Sequence, residues 1–129
     1  MRNIVFIRVL DGTEVFVPCL AENLSDDIFK VIENKYFDND DFTSVWEFFI
    51  GDTISVQEQN GDLYAKKLID SNIKDRSVFS LIFELVHSDG KLSLEKESTY
   101  SNEISTLRSE SFASNYKRHP IIKRWLADN

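Results

Sequence analysis

The chain is short of the residues from which most catalytic and metal centres are built. Among 129 residues stand one cysteine, two histidines, four glycines and two prolines. The lone Cys19 has no partner for an internal disulfide, which fits a reducing compartment. Two histidines and one cysteine are too few for a zinc site. The glycines are scattered, so no glycine-rich loop is present to cradle a phosphate. No apolar run approaches the roughly 18–20 residues that a membrane-spanning helix needs. The opening segment MRNIVFIRVLDG alternates at Ile4, Phe6 and Arg8 like a strand, and no small-residue cleavage site follows it. No signal peptide is therefore expected. Together these absences set the expectation of a soluble, cytoplasmic protein with no membrane partner, cofactor, metal or small-molecule substrate.

What the chain does have is hydrophobic mass and uneven charge. It is 42% hydrophobic and 12% aromatic, enough to bury a core. The net charge is −7, but residues 1–63 carry 13 acids against 4 bases, whereas residues 64–129 carry 9 acids against 11 bases. An acidic half repels nucleic acid and attracts basic partners. The competing reading is that acids merely keep a small protein in solution.

The first 70 residues pattern as β-structure. IVFIRVL (4–10) is apolar and β-branched, Asp11-Gly12 is a turn signal, and TEVFVPCL (13–20) alternates up to Pro18, which cannot donate to a ladder. DIFKVIE (27–33) reads as a third strand and Val45 to Phe49 as a fourth. TISVQEQ (53–59) and DLYAKKLI (62–69) flank Asn60-Gly61, the strongest hairpin turn in the chain. Five or six short strands with tight turns predict a small, strongly bent antiparallel barrel over about residues 3–70.

The remainder is expected to be mainly helical, an extension over residues 75–129 packed on the barrel within one domain. Val78, Leu81, Ile82, Leu85 and Val86 fall at helical spacing, with Asp75 or Ser77 as candidate caps. A rival exists, because Phe79, Leu81, Phe83 and Leu85 also alternate and Asp89-Gly90 would turn a hairpin into KLSLEKE. The helix is favoured. Tyr100, Ile104 and Leu107 share one helical face further on. Pro120 suits the first turn of a terminal helix, HPIIKRWL, docked through Ile121, Trp125 and Leu126.

Residues 36–52, YFDNDDFTSVWEFFIGD, set several acids among large rings. A calcium loop beginning at Asp38 fails, since its fifth, sixth and twelfth positions are Phe42, Thr43 and Phe49 rather than an oxygen ligand, glycine and glutamate. Cys19 reads as a small buried hydrophobe. His87-Ser88-Asp89 has the letters of a triad, but sequence neighbours do not converge as a triad must. His87 is expected to close a helix and His119 to be exposed. No catalytic residue is assigned and no enzyme is expected. The basic-aromatic segment 116–125 has the makings of a weak RNA surface, with Lys117, Arg118, Lys123 and Arg124 beside Tyr116 and Trp125. Four charges in an acidic chain argue against it, and a terminal helix using its basic face structurally is the favoured reading.

At GTEVFVP (12–18) and WEFFIGDTISV (46–56) the chain resembles a group of small bacterial proteins with the pattern G-T-D/E-V-W/F-x-P followed by W-E-F-x-P-G-D-x-V. The resemblance covers about residues 3–70 and implies an SH3-like β-barrel with no catalytic residues. Ile50 departs from it, standing where the pattern has proline, and the C-terminal extension lies outside it. More loosely, a small, acidic, cysteine-poor chain is similar in kind to bacterial immunity proteins and antitoxins, which implies a toxin or effector domain, commonly a basic nuclease, as protein partner. The sequence expectation is therefore an acidic contact face. Asp38, Asp40 and Asp41 stand at its centre, Tyr36 and Phe42 act as aromatic anchors, and Asp26, Asp27, Glu47 and Asp52 contribute. Trp46 and Phe48 are assigned to the core.

Overall fold

The computed structural model describes residues 2–128, leaving aside the Arg2 side chain. The protein is α+β, with six strands followed by helices. The strands are β1 (Arg2–Leu10), β2 (Glu14–Ser25), β3 (Ile28–Glu33), β4 (Val45–Trp46), β5 (Thr53–Gln59) and β6 (Asp62–Asp70). The helices are α1 (Arg76–His87), α2 (Leu94–Thr99), α3 (Ser101–Arg108) and α4 (Pro120–Asp128), with a 3-10 turn at Asn115–Arg118. By contact clustering the chain forms two compact units. A strand unit holds residues up to Val9, Thr13–Phe37 and Trp46–Lys74, and a helical unit holds Leu10–Gly12, Asp38–Val45 and the chain from Asp75 onward. The acidic segment, which sequence placed inside the strand half, therefore clusters with the helices.

In the strand unit, period-2 alternation puts Val5, Ile7 and Val9 of β1, Cys19 and Ala21 of β2, and Ile54 and Val56 of β5 into one core with Phe29, Val31, Trp46 and Phe48. Trp46 and Phe48 are core residues, as the sequence predicts. The sheet order is β2-β3-β5-β6-β1-β4, and β2 also pairs with β1, so the strands make a partial ring. The all-antiparallel expectation fails where β1 meets β6. β1 runs parallel to β6, matching Val5 with Leu63 and Phe6 with Tyr64.

The turns follow local chemistry. Asn60 and Gly61 both adopt positive φ, 55° and 87°, as a tight primed hairpin between Gln59 and Asp62 requires. The fourth strand is shorter than expected, because Phe49 to Asp52 form a turn closed by an Asp52 N–H to Phe49 carbonyl bond of 3.0 Å. Gly51 takes its third position at φ 96°, and Ile50 its second, which turns of this geometry commonly give to proline. β2, by contrast, runs on past Leu20 to Ser25 with two register shifts against β3.

In the helical unit the helix reading of 77–87 prevails over the hairpin. Val78, Leu81, Ile82, Phe83 and Leu85 are buried along α1. Asp89, in the left-handed conformation at φ 55°, sends its N–H to Val86, and Gly90 donates to Leu85 at 2.7 Å. This paired 5→2 and 6→1 bonding ends a helix and does not begin a second strand. The capping expectation at the other end fails. Asp75 sits left-handed with no side-chain cap, and the Ser77 hydroxyl turns to Glu103. Ser93 caps α2 by accepting from Lys96. Leu107 is the buried member of the predicted face on α3. Pro120 opens α4 as expected, but Ile122 is its buried residue, while Ile121, Trp125 and Leu126 are half-buried. Among the described residues no helix is long and apolar enough to cross a membrane.

Candidate acidic contact loop

The run Asp38-Asn39-Asp40-Asp41 is a folded turn. Asp38 accepts the Asp40 N–H on its side-chain Oδ1 at 2.9 Å, and its carbonyl accepts from Asp41 N–H at 3.1 Å. Asp41 repeats the motif two residues later, where its Oδ1 takes both the Thr43 N–H at 2.8 Å and the Thr43 hydroxyl at 2.5 Å. Aspartate side chains bond the backbone two residues on, which is why such residues nucleate turns. The Thr43 hydroxyl, then the Thr43 backbone, hold the Asp41 carboxyl below its ordinary value. Asp38 and Asp40 are exposed and Asp41 is half-exposed.

The loop is held from within its own unit by residues that lie outside the contact face expected from sequence. Asn115 donates from Nδ2 to the Asn39 carbonyl at 2.9 Å, and the Tyr116 hydroxyl donates to the Ser44 carbonyl at 3.2 Å. The Arg118 guanidinium lies over the Phe42 ring, 4.8 Å from its centroid. The 3-10 turn thus straps the acidic loop at both ends and its middle. A visible signal existed in the basic-aromatic run YKRH, the natural complement of an acidic-aromatic one.

Several predicted partner residues have other employment. Phe42 is half-buried with Arg118 on one face, so it is a strap contact rather than an open anchor. Glu47 grips Arg8 through both carboxylate oxygens, at 2.9 and 3.3 Å, and Arg8 also reaches Glu14 at 3.0 Å. Burial pulls the Arg8 guanidinium down, yet the two carboxylates outweigh it and hold its pKa above the ordinary value. Asp52 is 0% exposed, so it cannot meet a partner. It accepts the Phe49 N–H at 2.8 Å and the Ser71 hydroxyl at 2.5 Å, pinning the turn before β5. Asp26 and Asp27 are exposed at the β2–β3 turn, and Tyr36 is 63% exposed after β3. These three belong to the strand unit, and Asp38, Asp40, Asp41 and Phe42 to the helical one.

The remaining reactive groups are quiet. Burial pushes the Cys19 thiol up to about 12, so it is a protonated core residue at neutral pH. His87 ends α1 as expected, stacked on Phe83. His119, predicted exposed, is half-buried and caps α4. Lys117 donates to the Ser109 carbonyl and Arg124 to Asp89, so the basic segment is largely engaged inside its own unit. An open cleft of about 600 Å³ beside that Arg124–Asp89 pair is lined by both charge signs, including Lys91, Glu97 and Asp128. Among the described residues no three histidine, cysteine or acidic side chains converge as metal ligands. No protein-family model matches the chain, and no curated protein or solved structure shows significant similarity to it.

Proposed function

We propose that the protein is a cytoplasmic protein-binding module of the immunity or inhibitor type, whose acidic loop takes a basic partner such as a nuclease-type toxin domain. One observation carries this reading. The carboxylates of Asp38 and Asp40 stand exposed on a turn whose shape is fixed by its own side chains and by the Asn115–Arg118 strap. A loop already held in one shape loses less conformational entropy on binding. Clustered exposed carboxylates speed encounter with a lysine- and arginine-rich surface and select for it. Asp41 serves as the organiser of the turn and as a third charge. Asp26, Asp27 and Tyr36 offer further exposed contacts on the strand unit. The partial ring of strands supports an SH3-like barrel as the scaffold, as the family resemblance implies.

A second reading is an SH3-like adaptor or housekeeping module. It draws on the strand unit, where Phe16 is 42% exposed and meets Tyr64 edge-on at 5.3 Å, with Phe6 stacked on the same ring at 5.3 Å. Co-purification with the product of the neighbouring gene tests the first reading. Capture should be lost when Asp38, Asp40 and Asp41 are changed together to Asn, which keeps the turn-forming oxygens and removes the charge. Capture that survives this change and fails with Phe16→Ala favours the adaptor.

A further inference from the structure

His119 stands where the strap meets the last helix. Its N–H donates to the Tyr116 carbonyl at 3.0 Å and closes the 3-10 turn, while its carbonyl accepts from Lys123 N–H at 2.8 Å and opens α4. Its ring Nδ1 accepts the Ile121 N–H at 3.1 Å, from an extended backbone of φ −61° and ψ 134°. This is the cap position and geometry that Ser, Thr, Asp or Asn ordinarily fills. Among the described residues it is the ring's one hydrogen bond.

From this geometry we propose that His119 is a pH-responsive catch, releasing the α4 cap and slackening the strap on the acidic loop when its ring takes up a proton. The catch rests on the contact-loop reading only for its biological use, as regulation of that face. Nδ1 accepts a hydrogen bond only while it carries no proton, so the capping ring is the neutral, Nε2-protonated form. Protonation sets N–H against N–H and places a cation at the positive end of the α4 dipole. The half-buried position acts in the same direction, and burial lowers the His119 pKa.

The charged groups on the elements packed against it are engaged elsewhere or exposed; on α3, the Arg108 guanidinium lies over the Trp125 ring of α4, 4.5 Å from its centroid. On the 3-10 turn, Lys117 reaches the Ser109 carbonyl and Arg118 covers Phe42. On α4, Lys123 and Asp128 are exposed and Arg124 holds Asp89. On α1, which packs against α4, Arg76 bonds Ser80, Glu84 binds Lys96 and His87 stacks on Phe83. A folded pKa below the unfolded one means the folded protein binds the proton less readily. The cap is therefore fully present above the ordinary histidine value of about 6.5 and is lost as pH falls through the lower folded value.

The test is proton NMR titration of the histidine rings together with amide hydrogen exchange of the full chain, from pH 7.5 down through the titration of the His119 ring. Protection at Ile121, across Asn115–Arg118 and through residues 40–44 should fall about five-fold as His119 titrates, the scale of one lost cap. His119→Asn keeps an acceptor without a proton to gain, and its loop should stay protected at both ends of that range. His119→Ala should lose that protection at both. The proposal is overturned if the ring titrates while the loop keeps its protection, or if the Asn variant loses protection as the wild type does. If the catch behaves as expected but neutralising Asp38 and Asp40 leaves partner capture intact, the catch stands and the functional reading falls.

Discussion

Two acidic turns, separated by five residues in the chain, use the same chemistry for opposite ends. At Asp38–Thr43 the carboxylates of Asp38 and Asp41 accept backbone N–H groups two residues on, and the turn leaves charge in solvent. At Phe49–Asp52 the Asp52 carboxylate accepts the Phe49 N–H and the Ser71 hydroxyl with no exposure. A carboxylate bonded to backbone is therefore not evidence for or against a binding role. Exposure decides, because a buried acid makes no direct contact with a partner and its removal strands the groups it served.

The largest effect expected from this contrast is at the buried turn. Asp52→Ala leaves the Phe49 N–H and Ser71 hydroxyl without their acceptor, and should cost about 2–4 kcal/mol in denaturant unfolding. A loss under about 1 kcal/mol would mean that water or relaxation replaces it easily. Next comes the strap. Tyr116→Phe removes one hydrogen bond to the Ser44 carbonyl and should cost about 0.5–1.5 kcal/mol, with loop amides exchanging faster. Asp41→Ala should cost about 0.5–1 kcal/mol. Because the folded Asp41 pKa is depressed, its contribution is present above the ordinary aspartate pKa near 3.9 and disappears as pH falls through the folded value. A difference between wild type and Asp41→Ala that is equal at pH 6 and pH 2 would break that assignment. The smallest effect belongs to Asp38→Asn with Asp40→Asn, expected within about 0.5 kcal/mol of wild type.

Much of the fold was legible because its signals are local. Asn60-Gly61 can turn only one way between two alternating runs, and the α1 stripe repeats over three turns. Asp89-Gly90 was legible only as a turn, since left-handed residues end helices and open hairpins alike; the Gly90 to Leu85 bond decides between them. The parallel β1–β6 pairing was out of reach, being a long-range choice that alternation does not encode. At the site, aspartate carries two messages in one letter, charge and turn chemistry, and the charge alone was read. Asp52 was misassigned for this reason, although the WEFFIGD motif that contains it carries a resemblance of fold alone. The strap was hidden by distance, since Asn115 meets a residue 76 positions earlier, and single-chain patterning has no means to join them.

The central claim is that Asp38 and Asp40 are exposed on an organised turn in order to meet a basic partner. Titration calorimetry of the neighbouring gene product against wild type and the Asp38→Asn, Asp40→Asn variant, at several salt concentrations, tests it most directly. Wild-type affinity should fall as salt rises, and the variant should bind about ten-fold or more weakly with a flatter salt dependence. Equal affinities with equal salt dependence would contradict the account, and the acids would then serve only the turn and solubility.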